Sequence, residues 1–282
     1  MKKGFCDLHT HSYYSDGTYS PRELIEEAEA FGLSAIALCD HNTVSGLPEF
    51  LAAAEGREVE AIPAIEFSTD YNGTELHIIA MFVKPQHYGT ITDMMRDTQA
   101  RKEASNRALV DGLVRAGYDI SYEKIKASAG EQINRAHIAA ALIEKGYATS
   151  IEELFSTLLS PNGKFYTPPV RPDSLEIISF IKSIGAVAVL AHPALNLKTD
   201  GALREFLALA VPRGLDAIET EYSKFDAETV TRVKKIAGEF GLRESGGSDF
   251  HGTRKPGIYL GRGKGNLAVP YEFVKRLKGC LE

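Results

Sequence analysis

The sequence predicts a seven-stranded parallel α/β barrel of irregular form with a helical insertion. Seven short apolar runs of strand length are mostly separated by segments of helical periodicity, the pattern of a parallel sheet wrapped by helices. Several of those runs end in histidine, aspartate or glutamate, which is where a barrel enzyme carries its chemistry. One block, near residues 99–167, reads as helices without strands. The expected organisation is therefore a barrel formed by 1–98 and 168–282, and an inserted cap at 99–167.

Gly4 to Thr10 is the first strand, and its period of two puts Asp7, His9 and His11 on one face and Cys6, Leu8 and Thr10 on the other. Ser20-Pro21-Arg22-Glu23 is a capping box with proline at the first helical position, so a helix runs from Pro21 to about Phe31 and stops at Gly32. The apolar run Ser34 to Cys39 ends in Asp40-His41-Asn42, and an alanine-rich helix follows at Leu47 to Glu55. Glu60 to Phe67, carrying Glu66, and Thr74 to Val83, carrying His77, are neighbouring strands across the turn Tyr71-Asn72-Gly73.

Helical patterns then occupy His87 to Gly117, Tyr122 to Ala129, Asn134 to Lys145 and Ser150 to Leu159. The proline- and glycine-rich loop from Ser160 through Pro169 closes the block. Alternation resumes with helix Asp173 to Ile184, strand Ala186 to Ala191, helix Ala202 to Ala210, strand Leu215 to Thr220 and helix Ala227 to Phe240. The last strand, Leu242 to Gly246, runs into Gly247-Ser248-Asp249-Phe250-His251, and a helix from about Pro270 ends the chain. No internal repeat is visible.

Composition bounds the function. The 282 residues are 44% hydrophobic and 25% charged, an ordinary globular balance with room for a real core. A formal charge of -6 argues against coating of DNA, so no stable DNA binding is expected. No apolar run is long enough to cross a bilayer, and Met1-Lys2-Lys3 leads straight into a strand, so a cytoplasmic protein without membrane association is expected. Cys6, Cys39 and Cys280 form no paired framework, and the first two read as small apolar core residues. Oligomeric state is not legible.

Six of the eight histidines fall in the strand-end set His9, His11, Asp40-His41, Glu66, His77, His192, Asp249 and His251; only His87 and His137 lie outside it. Soluble cores rarely gather so many polar groups. Imidazoles and carboxylates without thiolate suit manganese, iron or zinc, manganese foremost, and the donors outnumber what one ion needs. A cluster of two or three divalent ions is therefore expected. Such a cluster clamps a phosphoryl group and activates a water.

Asp7-Leu8-His9-Thr10-His11 with Ser15-Asp16-Gly17, Asp40-His41, Glu66, His77, Ala191-His192-Pro193 and Gly247-Ser248-Asp249-Phe250-His251 together resemble the motifs of the polymerase and histidinol phosphatase (PHP) family. That family's fold, a distorted (β/α)7 barrel, agrees with the strand count. The resemblance implies a first metal held by His9, His11, Glu66 and Asp249, a second held by bridging Glu66 with His77 and His192, and a third held by Asp16, His41 and His251. Asp7 and Asp40 are placed behind the ligands, orienting imidazoles. Asp16, His41 and His251 are the catalytic candidates, the two histidines or the third ion assisting the leaving oxygen after attack by hydroxide bridging the first two ions.

The insertion resembles that of stand-alone PHP phosphoesterases acting on 3',5'-bisphosphonucleotides or the 5' ends of short RNA. Asn134-Arg135-Ala136-His137 and Gly163-Lys164-Phe165-Tyr166 resemble that group's cap residues. Arg135 is the best candidate for a fork on a second, non-reacting phosphate, with Lys164 a weaker one; His137 either touches substrate or packs. Glu219 and Tyr222 either line the pocket or serve a salt bridge and a core hydroxyl. The competing enzyme reading is a histidinol-phosphatase-like monoesterase for a small phosphorylated metabolite.

Overall fold

The structure, a computed structural model, describes residues 4–129, 133–160 and 163–281. Met1, Lys2 and Lys3, and Pro161 and Asn162 of the boundary loop, lie outside the described residues. In chain order the barrel half opens with β1 (Phe5–Thr10), α1 (Pro21–Ala30), β2 (Ala35–Leu38), α2 (Leu47–Ala54), β3 (Glu60–Tyr71) and β4 (Thr74–Met81). The cap follows as α3 (Tyr88–Arg115), α4 (Tyr122–Ala129), α5 (Arg135–Glu144) and α6 (Ile151–Ser156). The chain then runs α7 (Ser174–Ser183), β5 (Val187–Leu190), α8 (Pro193–Asn196), α9 (Asp200–Ala210), β6 (Leu215–Tyr222), α10 (Ala227–Glu239), β7 (Arg243–Gly247), β8 (Val269–Pro270) and α11 (Glu272–Lys278).

The strands form one eight-stranded sheet in the order β7-β6-β5-β4-β3-β2-β1-β8. A parallel bridge between Thr10 and Phe250 joins its two sides and nearly closes the barrel. Two features depart from the seven parallel strands expected. β4 runs antiparallel to both β3 and β5, because the Tyr71–Thr74 pair is closed by the two-residue turn Asn72 (φ 52°) and Gly73 (φ 80°), which allows only a hairpin. The short β8 is an eighth strand, antiparallel to β1.

The hairpin consequently aims the ligand-bearing end of β4 oppositely to the others, and His77 enters the site from a strand start rather than a strand end. β3 extends to Tyr71, four residues past the expected Phe67, since its far half is the hairpin arm.

Two apolar clusters build the barrel. One fills the interior with Cys6, Leu8, Ala37, Cys39, Ile79, Val189 and Ala217; the other lies between the sheet and its helices. A third cluster belongs to the cap and includes Leu109, Leu113, Ile138, Leu142, Leu154 and Tyr166. Helix α3 spans both regions: Ile91 and Met95 pack on the barrel, Leu109, Val110 and Leu113 inside the cap. The expected boundary at 98/99 therefore falls within one continuous helix. None of the described helices is long and apolar enough to cross a membrane.

Candidate metal centre

His9 sits late in β1, fully buried, with Nδ1 2.8 Å from Glu219 Oε1. A carboxylate can only accept, so the ring proton is on Nδ1 and Nε2 presents its lone pair. That lone pair faces two more acceptors, Glu66 Oε2 at 3.2 Å and Asp249 Oδ1 at 3.7 Å. His11 Nε2 approaches the same two oxygens at 3.3 Å each. Four electron-pair donors thus converge where no hydrogen of the described residues lies between them.

The other oxygen of Glu66 repeats the arrangement. Oε1 is 2.9 Å from His77 Nδ1 and 3.1 Å from His192 Nε2. His77 is turned by Glu75, whose Oε1 lies 3.3 Å from Nε2, so Nδ1 is the free donor atom. A further group gathers Asp16, His41 and His251: Asp16 Oδ1 is 3.2 Å from His251 Nε2, and Oδ2 is 3.9 Å from His41 Nε2. His251 Nδ1 donates to the Asp249 carbonyl at 2.9 Å, which leaves its Nε2 free.

The structure brings all nine expected ligands together. Among the described residues, metal-ligand atoms within 4.8 Å of one another form four overlapping groups: His11-Asp16-His41-His251, His9-Glu66-His192, His9-His11-Asp249 and His41-Glu66-His77. His41 belongs to two of them, with Nδ1 3.1 Å from Glu66 Oε2.

These groups fit a metal. His9 Nε2, both nitrogens of His11, His41 Nδ1, His192 Nδ1 and Glu66 Oε2 are buried with no hydrogen-bonding partner among the described residues. Leaving so many buried polar atoms unsatisfied is costly unless a cation satisfies them. Electrostatics agree. Burial alone would raise Glu66, Asp249 and Asp16, but surrounding histidines, and Lys255 beside Asp249, hold all three well below the usual carboxylate range. Burial would likewise lower His9, yet Glu219 and Glu66 outweigh it and hold His9 well above the ordinary value. A field that retains a proton there also retains a divalent cation. Burial carries His41 down to about 4, so its ring is a neutral ligand rather than a proton donor near pH 7.

The backbone is bent to make this possible. His192 (φ 29°) and Asp249 (φ 57°) lie in the left-handed region just past β5 and β7, a strain that the surrounding bonds must hold. Glu219 Oε2 accepts the His192 N–H at 2.6 Å, and the His9 carbonyl accepts the Asp249 N–H at 2.8 Å. Gly247 is required because a Cβ there would fall 2.5 Å from the His9 backbone nitrogen.

Asp7 and Asp40 act differently from expectation. Asp7 accepts from Ser248 N (2.8 Å), Ser248 Oγ (2.5 Å) and Gly261 N (2.7 Å), tying β1 to the segment that carries Asp249. Asp40 accepts from Ser12 N (2.8 Å), Ser12 Oγ (2.6 Å) and Ser15 Oγ (2.6 Å), fixing the loop that carries Asp16. Both hold ligand-bearing backbone instead of imidazole rings. The imidazole-orienting carboxylates are Glu219 and Glu75. Glu219 was one of two readings in sequence; Glu75 had no signal beyond its place in an alternating strand.

Asp249 Oδ2 is occupied by the Tyr222 hydroxyl (2.7 Å) and by Lys255 Nζ (2.6 Å), which turns Oδ1 toward His9 and His11. Tyr222 thus serves the ligand itself.

Above the centre lies a cavity of about 1090 Å³ between barrel and cap. Asp16, His41, His77 and His251 form its floor, and Lys102, Arg135, Arg171 and Arg254 are among its walls. Arg135 is half-buried, its guanidinium over Tyr166 and Phe155, with Nη1 donating to the Leu159 carbonyl at 3.1 Å. Lys164, expected to bind substrate, is exposed; its ammonium lies over Phe165, and it is not among the cavity-lining residues. His137 is buried and caps its own helix, Nδ1 accepting the Asn134 N–H at 3.0 Å. Lys102, Arg171, Arg254 and Lys255 were missed by sequence reading, because isolated cations on separate segments carry no local signature.

Comparison with known proteins decides the family. The sequence model described as the PHP domain matches residues 7–165. The chain belongs to the PHP family. Among curated PHP relatives, it is 31% identical over 245 residues to a 5'-3' exoribonuclease of Haemophilus influenzae, covering 87% of this chain and 89% of that protein. It is 26% identical over 257 residues to the 3',5'-nucleoside bisphosphate phosphatase of Chromobacterium violaceum, covering 90% of each. A solved chain from Bifidobacterium adolescentis, inferred to be a metal-dependent phosphoesterase, superimposes with a TM-score of 0.86 at 28% identity, over 99% of this chain and 97% of that one. The protein is a PHP phosphoesterase, a hydrolase of phosphate esters.

Proposed function

We propose that this enzyme removes the 3'-phosphate of 3',5'-bisphosphonucleotides, giving nucleoside 5'-monophosphates, and that the same site trims short RNA from its 5' end. The supporting observation is the junction of the metal centre with a cation-walled cavity. A substrate with one phosphate needs only the floor. Guanidinium and ammonium groups above it suit a second phosphate on the same molecule, since they match its charge and Arg matches its fork geometry. Relatives named for a bisphosphonucleotide and for an RNA 5' end both carry such a substrate, which supports the reading.

His9, His11, Glu66 and Asp249 would hold one ion, Glu66, His77 and His192 a second, and Asp16, His41 and His251 a third, with manganese suited to this imidazole and carboxylate set. Two or three such cations supply a water of lowered pKa and neutralise charge on the phosphoryl oxygens. Glu66 spaces the groups through its two oxygens, while Glu219, Glu75, Tyr222 and Lys255 fix the donor atoms. The phosphorus to ribose-oxygen bond breaks toward Asp16 and His251, and on that side the leaving oxygen takes up its proton.

Purified protein assayed with manganese should release phosphate from adenosine 3',5'-bisphosphate faster than from histidinol phosphate. Faster release from histidinol phosphate would transfer the assignment to a small-metabolite monoesterase.

A further inference from the structure

The cations around the cavity are not equivalent. Arg171 Nη2 lies 2.8 Å from Glu75 Oε2, Arg135 Nη2 lies 3.9 Å from the same oxygen, and Lys255 is bonded to Asp249. Those charges are compensated within the protein. Lys224 and Lys264 are exposed to solvent.

Arg254 and Lys102 differ from all of these. Arg254 Nε is buried with no hydrogen-bonding partner among the described residues, and the side chain feels only Asp16 as a nearby opposite charge. Lys102, on α3, is drawn by Asp16 and Glu75 without an ion pair among the described residues, and burial lowers its affinity for a proton. A third donor joins them. His137 is 3% exposed, and because Nδ1 accepts from Asn134, Nε2 carries the proton and has no acceptor among the described residues. Burial, then Arg254, brings this ring down to about 3, so it remains a neutral donor. Asp16 acts on all three, which places them on the side of the cavity next to the Asp16-His41-His251 group.

Unpaired buried cations are expensive, and the cost is recovered only when an anion arrives. We infer that Lys102 and Arg254, with the His137 Nε2–H, form the pocket for the substrate's second, non-reacting phosphate, while Arg135 and Arg171 are held back by Glu75. This assignment rests on the proposed bisphosphonucleotide activity. It joins cap to barrel, since Lys102 and His137 come from α3 and α5 and Arg254 from the segment after β7. A phosphate there would neutralise charges from both parts at once.

The test compares two substrates on manganese-loaded enzyme. For R254M and K102M, the KM for adenosine 3',5'-bisphosphate should rise relative to that for adenosine 3'-monophosphate by roughly tenfold or more, as expected for a lost charged hydrogen bond. R254K should recover part of that ratio, and metal content should stay at the wild-type level. An unchanged ratio, or equal losses on both substrates, would overturn the pocket. Wild-type enzyme inactive on both nucleotides would sink the proposed function instead. The pocket is then read by calorimetry with adenosine 5'-monophosphate: affinity roughly tenfold weaker in R254M supports it. Equal affinity, or no binding to wild type, overturns it.

Discussion

The barrel rim and the cap solve the placement of charged groups in opposite ways. At the rim, nine ligand side chains are pinned by carboxylates and β-ladders, and their donor atoms are left bare. Asp7, Asp40 and Glu219 each accept two or more bonds from ligand-bearing backbone or rings. In the cap, by contrast, positions come from apolar packing of helices around their own cluster, tied to the barrel by contacts such as Gln99 Nδ-amide to the Asn42 carbonyl at 2.9 Å. The difference teaches that metal affinity and substrate affinity are separable here. The first depends on polar geometry that tolerates no slack, the second on how well a small separate core holds its helices.

The sharpest way to break that comparison is Glu66→Gln. Glu66 supplies one oxygen to His9, His11 and His41 and the other to His77 and His192, whereas an amide offers only one acceptor. Metal content and turnover should fall by more than the roughly 10–100-fold that outer partners cost. Retained metal by elemental analysis would contradict the bridging role.

A smaller loss is expected from Glu219→Gln, which must present an amide N–H to either the His9 Nδ1–H or the His192 N–H. Metal affinity should drop by about 10–100-fold, read by titration with a chelator, while the fold persists. An unaltered affinity would mean that the ladder alone positions His9.

The mildest effect on the centre should come from Leu142→Ala in the cap core. Truncating this fully buried side chain should destabilise the cap by about 2–5 kcal/mol. Hydrogen exchange in α5 should accelerate and KM should rise, with metal content unchanged. Loss of metal in this variant would show that barrel and cap are one cooperative unit.

Much of the centre was legible because its ligands announce themselves locally. His9 and His11 alternate on a strand, and His41, His192 and Asp249 each follow an apolar run. The hairpin was legible too, from Asn72-Gly73. The reversal of β4 against β5 was not, since nothing in either strand's pattern records its partner's direction. Nor were the two conspicuous aspartates read correctly: adjacency to histidine suggested ring contacts, while the bonds of Asp7 reach Ser248 and Gly261 at the far end of the chain.

By itself the amino-acid sequence determined the strand and helix order, the identity of the nine ligands and the class of chemistry, because periodicity and donor type are properties of short segments. Only the tertiary structure decided which charges are compensated. Lys102, Glu75, Arg171 and Arg254 lie on separate segments, and whether a cation is paired or bare depends on distances of a few ångströms that no spacing along the chain encodes.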